Sequence, residues 1–117
     1  MKTRYRKTQG VTDLREQGQV TLARGEATGH HHTVYADAHT DLIPDAEFFE
    51  EPGGRRILLC LQRCVLRHQE HGAITLDPEH PVQVRQGDVL LTPLAPGAWE
   101  VTRQREYTPQ AIRLVAD

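Results

Sequence analysis

Along most of this chain, apolar and polar residues alternate with a period of two, and Gly- and Pro-rich turns cut the alternation into short runs. A period of two puts alternate side chains on opposite faces of an extended backbone, so the pattern predicts β-strands. Val20, Leu22 and Arg24 alternate with Gln19, Thr21 and Ala23, which gives a first strand. A second strand runs through His30–Tyr35. Gly25 and Gly29 bracket its start, and glycine inside a strand pattern suggests a bulge or a close backbone approach. Residues 36–52 are acidic, with Asp37, Asp41, Asp45, Glu47, Glu50 and Glu51 predicted on a solvated face. Within them the Phe48-Phe49 pair is expected to pack on the core through a short strand or turn. Pro52-Gly53-Gly54 then marks a turn.

The most apolar stretch is 56–68, and it admits two readings. As one helix it would stack Cys60, Cys64 and His68 on one face. The run is bounded by Gly53-Gly54 and Gly72, which favours two strands broken near Gln62-Arg63, with the cysteines as small core residues. Ile74 and Leu76 form a strand ended by Pro78. Val82 and Val84, Gly87-Asp88, and Val89-Leu90-Leu91 read as strand, turn, strand. Pro93-Leu94-Ala95-Pro96-Gly97 is another turn. Trp99, Val101, Arg103 and Arg105 alternate with Glu100, Thr102, Gln104 and Glu106 in a last strand. Trp99, the single tryptophan, is expected to anchor the core. Thr108-Pro109 supplies an N-cap and a first helical residue for a short C-terminal helix.

Regular short strands between Gly/Pro turns predict a mainly β protein, a small single-domain β-barrel or sandwich with that terminal helix. At 117 residues the chain holds one modest core. Residues 1–17 carry little to bury and read as a polar N-terminal arm, with 18–117 as the β-domain.

Charge narrows the function classes. The net charge of −2 advertises neither nucleic acid nor an anionic membrane. Lys2, Arg4, Arg6 and Lys7 read as a solvated tail, since Asp13 and Glu16 soon follow. Only 5% of residues are aromatic, too few for base stacking, so nucleic acid is disfavoured as a partner. No apolar run has transmembrane length. The basic N-terminus is not followed by the apolar segment of a secretory signal. Two cysteines are no disulfide framework, so a reduced, cytoplasmic protein is expected. A homo-oligomer stays open.

The candidate chemistry lies in the histidines. By strand parity His30 and His32 share a face and His31 points away. If the alternation continues upstream, Glu26 joins the His30/His32 face, although a bulge would shift it. A second cluster is His68-Gln69-Glu70-His71-Gly72. It differs from the helical HExxH motif, since its histidines are three apart. On a strand His68 and Glu70 share a face, and His71 joins them if the chain bends at Gly72. Together His30, His32 and His68, with Glu70 or His71 as the fourth ligand, make an N/O set for a divalent metal. Zn, Mn, Fe(II) and Ni all suit it. Catalysis would need an acid/base group, for which Glu26 is the candidate. Each cluster taken alone reads more readily as a polar, solvated strand segment. The alternative function is a non-catalytic binding or assembly module using Gln104, Arg105, Glu106 and Tyr107. No nucleophile constellation is present, because thiols in an apolar run are inert.

Three segments in order carry a resemblance. They are Gly25-Glu26-Ala27-Thr28-Gly29-His30-His31-His32, His68-Gln69-Glu70-His71-Gly72, and the run from Pro96 to Pro109 that contains Gln104-Arg105-Glu106-Tyr107. The chain resembles a family of small bacterial and phage proteins with GExTGHxH, HxEHG and PGxxxVxxQREYxP segments. The resemblance spans residues 19–117 and implies a compact β-domain, with no established functional residues. Arg85–Pro93 has the form of a strand that opens other members. The ligand types are also cupin-like, by analogy only.

Overall fold

The computed structural model describes residues 5–25 and 29–104. The described residues form ten strands: β1 Thr12–Asp13, β2 Val20–Arg24, β3 His31–Tyr35, β4 Ala46–Glu50, β5 Arg56–Cys60, β6 Cys64–Arg67, β7 Ile74–Leu76, β8 Val84–Gln86, β9 Val89–Ala95 and β10 Ala98–Arg103. Every pairing is antiparallel. They form a six-stranded sheet, β1-β4-β5-β10-β9-β8, and a four-stranded sheet, β2-β3-β6-β7. Both sheets keep open edges, so the architecture is sandwich-like and not a closed barrel. The described residues contain no helix. The expected C-terminal helix at Thr108-Pro109 falls outside them.

The core lies between the sheets. Val20, Leu22, Val34, Leu66 and Leu76 of the smaller sheet cluster with Phe48, Leu58, Leu91, Trp99 and Val101 of the larger. Trp99 is buried, and its Nε1–H donates to the Val82 carbonyl at 2.9 Å. A second cluster holds Phe49, Ile57, Leu59 and Ala98, with Tyr5, Val11 and Leu94 packed against it. The two clusters explain the continuous apolar run of β5. Leu58 and Cys60 belong to the first cluster while Ile57 and Leu59 belong to the second, so both faces of this strand are buried. The break at residues 61–63 falls where the chain leaves one sheet for the other.

Two sequence expectations are corrected. Glu51 is not on a solvated face. It is buried, takes an ion pair from Arg55 at 2.9 Å, and accepts a hydrogen bond from the Tyr5 hydroxyl. Pro93, Leu94 and Ala95 continue β9, so the turn shrinks to Pro96-Gly97. β2 also carries a register shift against β3 between Thr21 and Ala23, while the segment between Gly25 and Gly29 lies outside the described residues. Residues 12–13 of the N-terminal arm pair with β4 as the edge strand of the larger sheet.

Candidate functional site

β3 and β6 are neighbours with Thr33 opposite Arg67. Carried one residue further, that register sets His32 against His68, just past the end of β6. The rings are 4.2 Å apart between centroids. His30, just before β3, lies 5.6 Å from His68. The chain bends after His68, and His71 returns to 4.7 Å from His68 and 6.2 Å from His32, nearly parallel to the latter. Sequence placed four histidines near one another, and their rings do form one group. His31 is not in this ring group; it lines a depression with Thr33, Tyr35, Arg67, Gln69 and the edge of His68. Glu70 is exposed, with Oε1 3.5 Å from His30 Nδ1. Glu26, Arg105, Glu106 and Tyr107 lie outside the described residues. Gln104 is exposed and accepts a hydrogen bond from Arg85.

Two residues that the sequence reading passed over complete the group, Gln86 and Asp88. Gln86 ends β8 and is 2% exposed. Its Nε2 donates to the carbonyls of Leu66 at 3.1 Å and Gly72 at 2.9 Å. Those two acceptors fix the amide, so Oε1 is the atom that meets His32 Nδ1 at 2.9 Å. A carbonyl oxygen can only accept, and so His32 Nδ1 carries the proton. In the neutral ring Nε2 then holds a lone pair. Burial pushes the His32 pKa down, against a smaller upward pull from the Gln86 bond, which favours that neutral ring.

The lone pair faces a carboxylate. His32 Nε2 is 3.5 Å from Asp88 Oδ1, with His32 0% and Asp88 8% exposed. Among the described residues neither atom has a hydrogen-bond partner. Asp88 is held from behind, since Arg103 Nε donates to Oδ2 at 2.9 Å. Two acceptors facing each other in a buried space repel unless a proton or a cation lies between them. Gly87 brings the third group close. A Cβ there would lie 2.8 Å from His71 Nε2 and 3.3 Å from His32 Cε1, so a side chain would collide with the histidines. His68 is differently set. Its Nδ1 accepts the Glu70 N–H at 3.0 Å, which puts the proton of its neutral ring on Nε2.

Among the described residues, no three His, Cys, Asp or Glu side chains are already disposed around one point to hold an ion. The rings instead pack against one another, stacked for His32 and His71 and tilted or edge-on for the other pairs. A signal for Gln86 was present in the sequence: it shares strand parity with the inward Val84, which marks a buried polar side chain. Asp88 carried no such signal, because Gly-Asp reads as an ordinary turn.

A model of the DUF8820 domain of unknown function matches residues 3–79. The chain belongs to this family. The DUF8820 match takes in β1 to β7 and all four clustered histidines, and stops before β8, which carries Gln86. No curated protein and no solved structure matches the chain. No helix among the described residues is long and apolar enough to cross a membrane.

Proposed function

We propose that this DUF8820 protein binds a divalent metal ion at His32 Nε2 and Asp88 Oδ1, with His71 Nε2 as the third ligand. The observation that carries the reading is the buried lone pair of His32 aimed at the buried Asp88 Oδ1, 3.5 Å away. A cation between them turns the repulsion into two bonds. The surroundings of the imidazole support this reading. A ligating histidine commonly donates its other N–H to a fixed acceptor, as His32 does to Gln86. Arg103 similarly orients the carboxylate.

Binding requires His71 to swing toward the pair. His71 is exposed and lies in the bend after β6, so the swing displaces no core packing. The 3.5 Å separation of the pair already suits a shared ion, since two ligand atoms roughly 2.0–2.2 Å from one tetrahedral ion lie about 3.3–3.6 Å apart. Three protein ligands leave an open position for water or substrate. Two nitrogens and one carboxylate oxygen suit Zn, Mn, Fe(II) or Ni. His68 packs beside the site, and His30 and Glu70 flank it.

The test is thermal melting with added Zn, Mn, Ni or Co, on protein purified without a metal-affinity column. A ligand at a hundred times its Kd adds about 2.7 kcal/mol to the folded state. The melting temperature of the wild type and of His31→Ala should rise. It should not rise in His32→Asn or Asp88→Asn. Asparagine at 32 keeps a donor for Gln86, so folding is retained. An equal rise in the wild type and both variants would refute the site and leave the binding-module reading, with Gln104 as its described residue.

A further inference from the structure

Cys60 and Cys64 lie outside the histidine site, at the corner where the chain passes from the six-stranded to the four-stranded sheet. Cys60 ends β5 opposite Ala46, and Cys64 begins β6 opposite Leu76. Each cysteine backbone is therefore held by its own sheet. Both side chains are buried and free, and the Cys64 S–H meets the Cys60 sulfur at 3.1 Å. A disulfide requires about 2.05 Å between sulfurs. Closing roughly 1 Å is within reach of small rotations about the two Cα–Cβ bonds. Leu61-Gln62-Arg63, the only covalent link over the pair, is exposed at all three positions.

We infer that Cys60 and Cys64 are a redox-responsive dithiol, which a small-molecule disulfide converts to a crosslink between the two sheets. The chemistry is thiol–disulfide exchange. One cysteine loses its proton to solvent and attacks the small disulfide, forming a mixed disulfide and expelling one small thiolate. The second cysteine, already in contact, loses its proton and attacks the protein sulfur of that mixed disulfide. The second small thiolate leaves. The protein dithiol has lost two electrons and two protons, and the small disulfide has become two thiols. The first step is slow in the folded protein. The hydrogen bond from Cys64 and burial both push the Cys60 thiol up, so little thiolate is present. The thiol must also be reached through the exposed 61–63 loop. The second step is fast, because the partner sulfur is adjacent and nothing must be brought together. The pair therefore closes to an internal disulfide and does not stop at the mixed one.

The experiment incubates the folded protein with glutathione disulfide well below its melting temperature and reads intact mass under denaturing, thiol-blocking conditions. The expected product is a monomer lighter by two hydrogens that takes up no maleimide and regains two reactive thiols after reduction. Cys60→Ser and Cys64→Ser should each stop instead at a stable glutathione adduct. Persistence of two free thiols, a wild-type glutathione adduct, or disulfide-linked dimers would each overturn the inference. Denatured wild type, treated alongside, shows that the oxidant is competent.

Discussion

Gln86 is the residue on which the histidine site turns, and Gln86→Leu tests that directly. The substitution keeps the side chain's approximate volume and removes three hydrogen bonds: two donated to the Leu66 and Gly72 carbonyls and one accepted from His32 Nδ1. The buried His32 N–H and the buried Leu66 carbonyl then lose that partner, whereas the Gly72 carbonyl lies at an exposed residue. Each stranded buried group costs roughly 1–3 kcal/mol. Leucine returns roughly 1 kcal/mol through its extra buried methyl groups. The net expectation is a loss of about 3 kcal/mol, read from urea unfolding of metal-free protein. Gln86→Glu adds a second arm. It keeps the acceptor for His32 but loses both donors, so it should be destabilised and still hold the His32 tautomer, retaining the metal-dependent rise in melting temperature that Gln86→Leu weakens. A loss under about 0.5 kcal/mol in Gln86→Leu, the level of an ordinary surface change, would refute the reasoning.

Three further outcomes are expected. Trp99→Ala should cost roughly 3–5 kcal/mol in urea unfolding, and native wild-type fluorescence should be that of a buried indole; a loss under about 1 kcal/mol would contradict its burial. Gly97 has φ of +80°, and a Cβ there would lie 2.8 Å from the Cys60 carbonyl oxygen, so Gly97→Ala should cost at least about 2 kcal/mol; an unchanged urea midpoint would refute the backbone argument. In chelator, stability should fall as pH drops below about 6.5, because the unfolded His32 takes up a proton that the buried ring resists. The loss is at most about 1.4 kcal/mol per pH unit for one such group, and His32→Asn should remove that share. An identical pH profile in wild type and His32→Asn would show that His32 does not titrate this way.

Much of the fold was legible in the alternation itself. The strand period, the break at residues 61–63 and the inward Trp99 follow from side-chain alternation and turn chemistry, which are local properties. So does the opposition of His31 to its neighbours, since parity along one strand needs no partner. Three things belonged to the tertiary structure. Whether the sheets close into a barrel or stack depends on edge pairing between distant strands, which no local pattern records. Glu51 reads as solvated in sequence because its cover, Tyr5 and Arg55, is assembled by folding. The site shows the same limit. The sequence brought the histidines together through two recognisable clusters. The groups that set the chemistry of His32, Gln86 fixing its tautomer and Asp88 facing its lone pair, come from the end of β8 and the turn after it, more than fifty positions from His32. Hydrogen-bond direction and buried charge are properties of packed neighbours, and only the folded chain decides them.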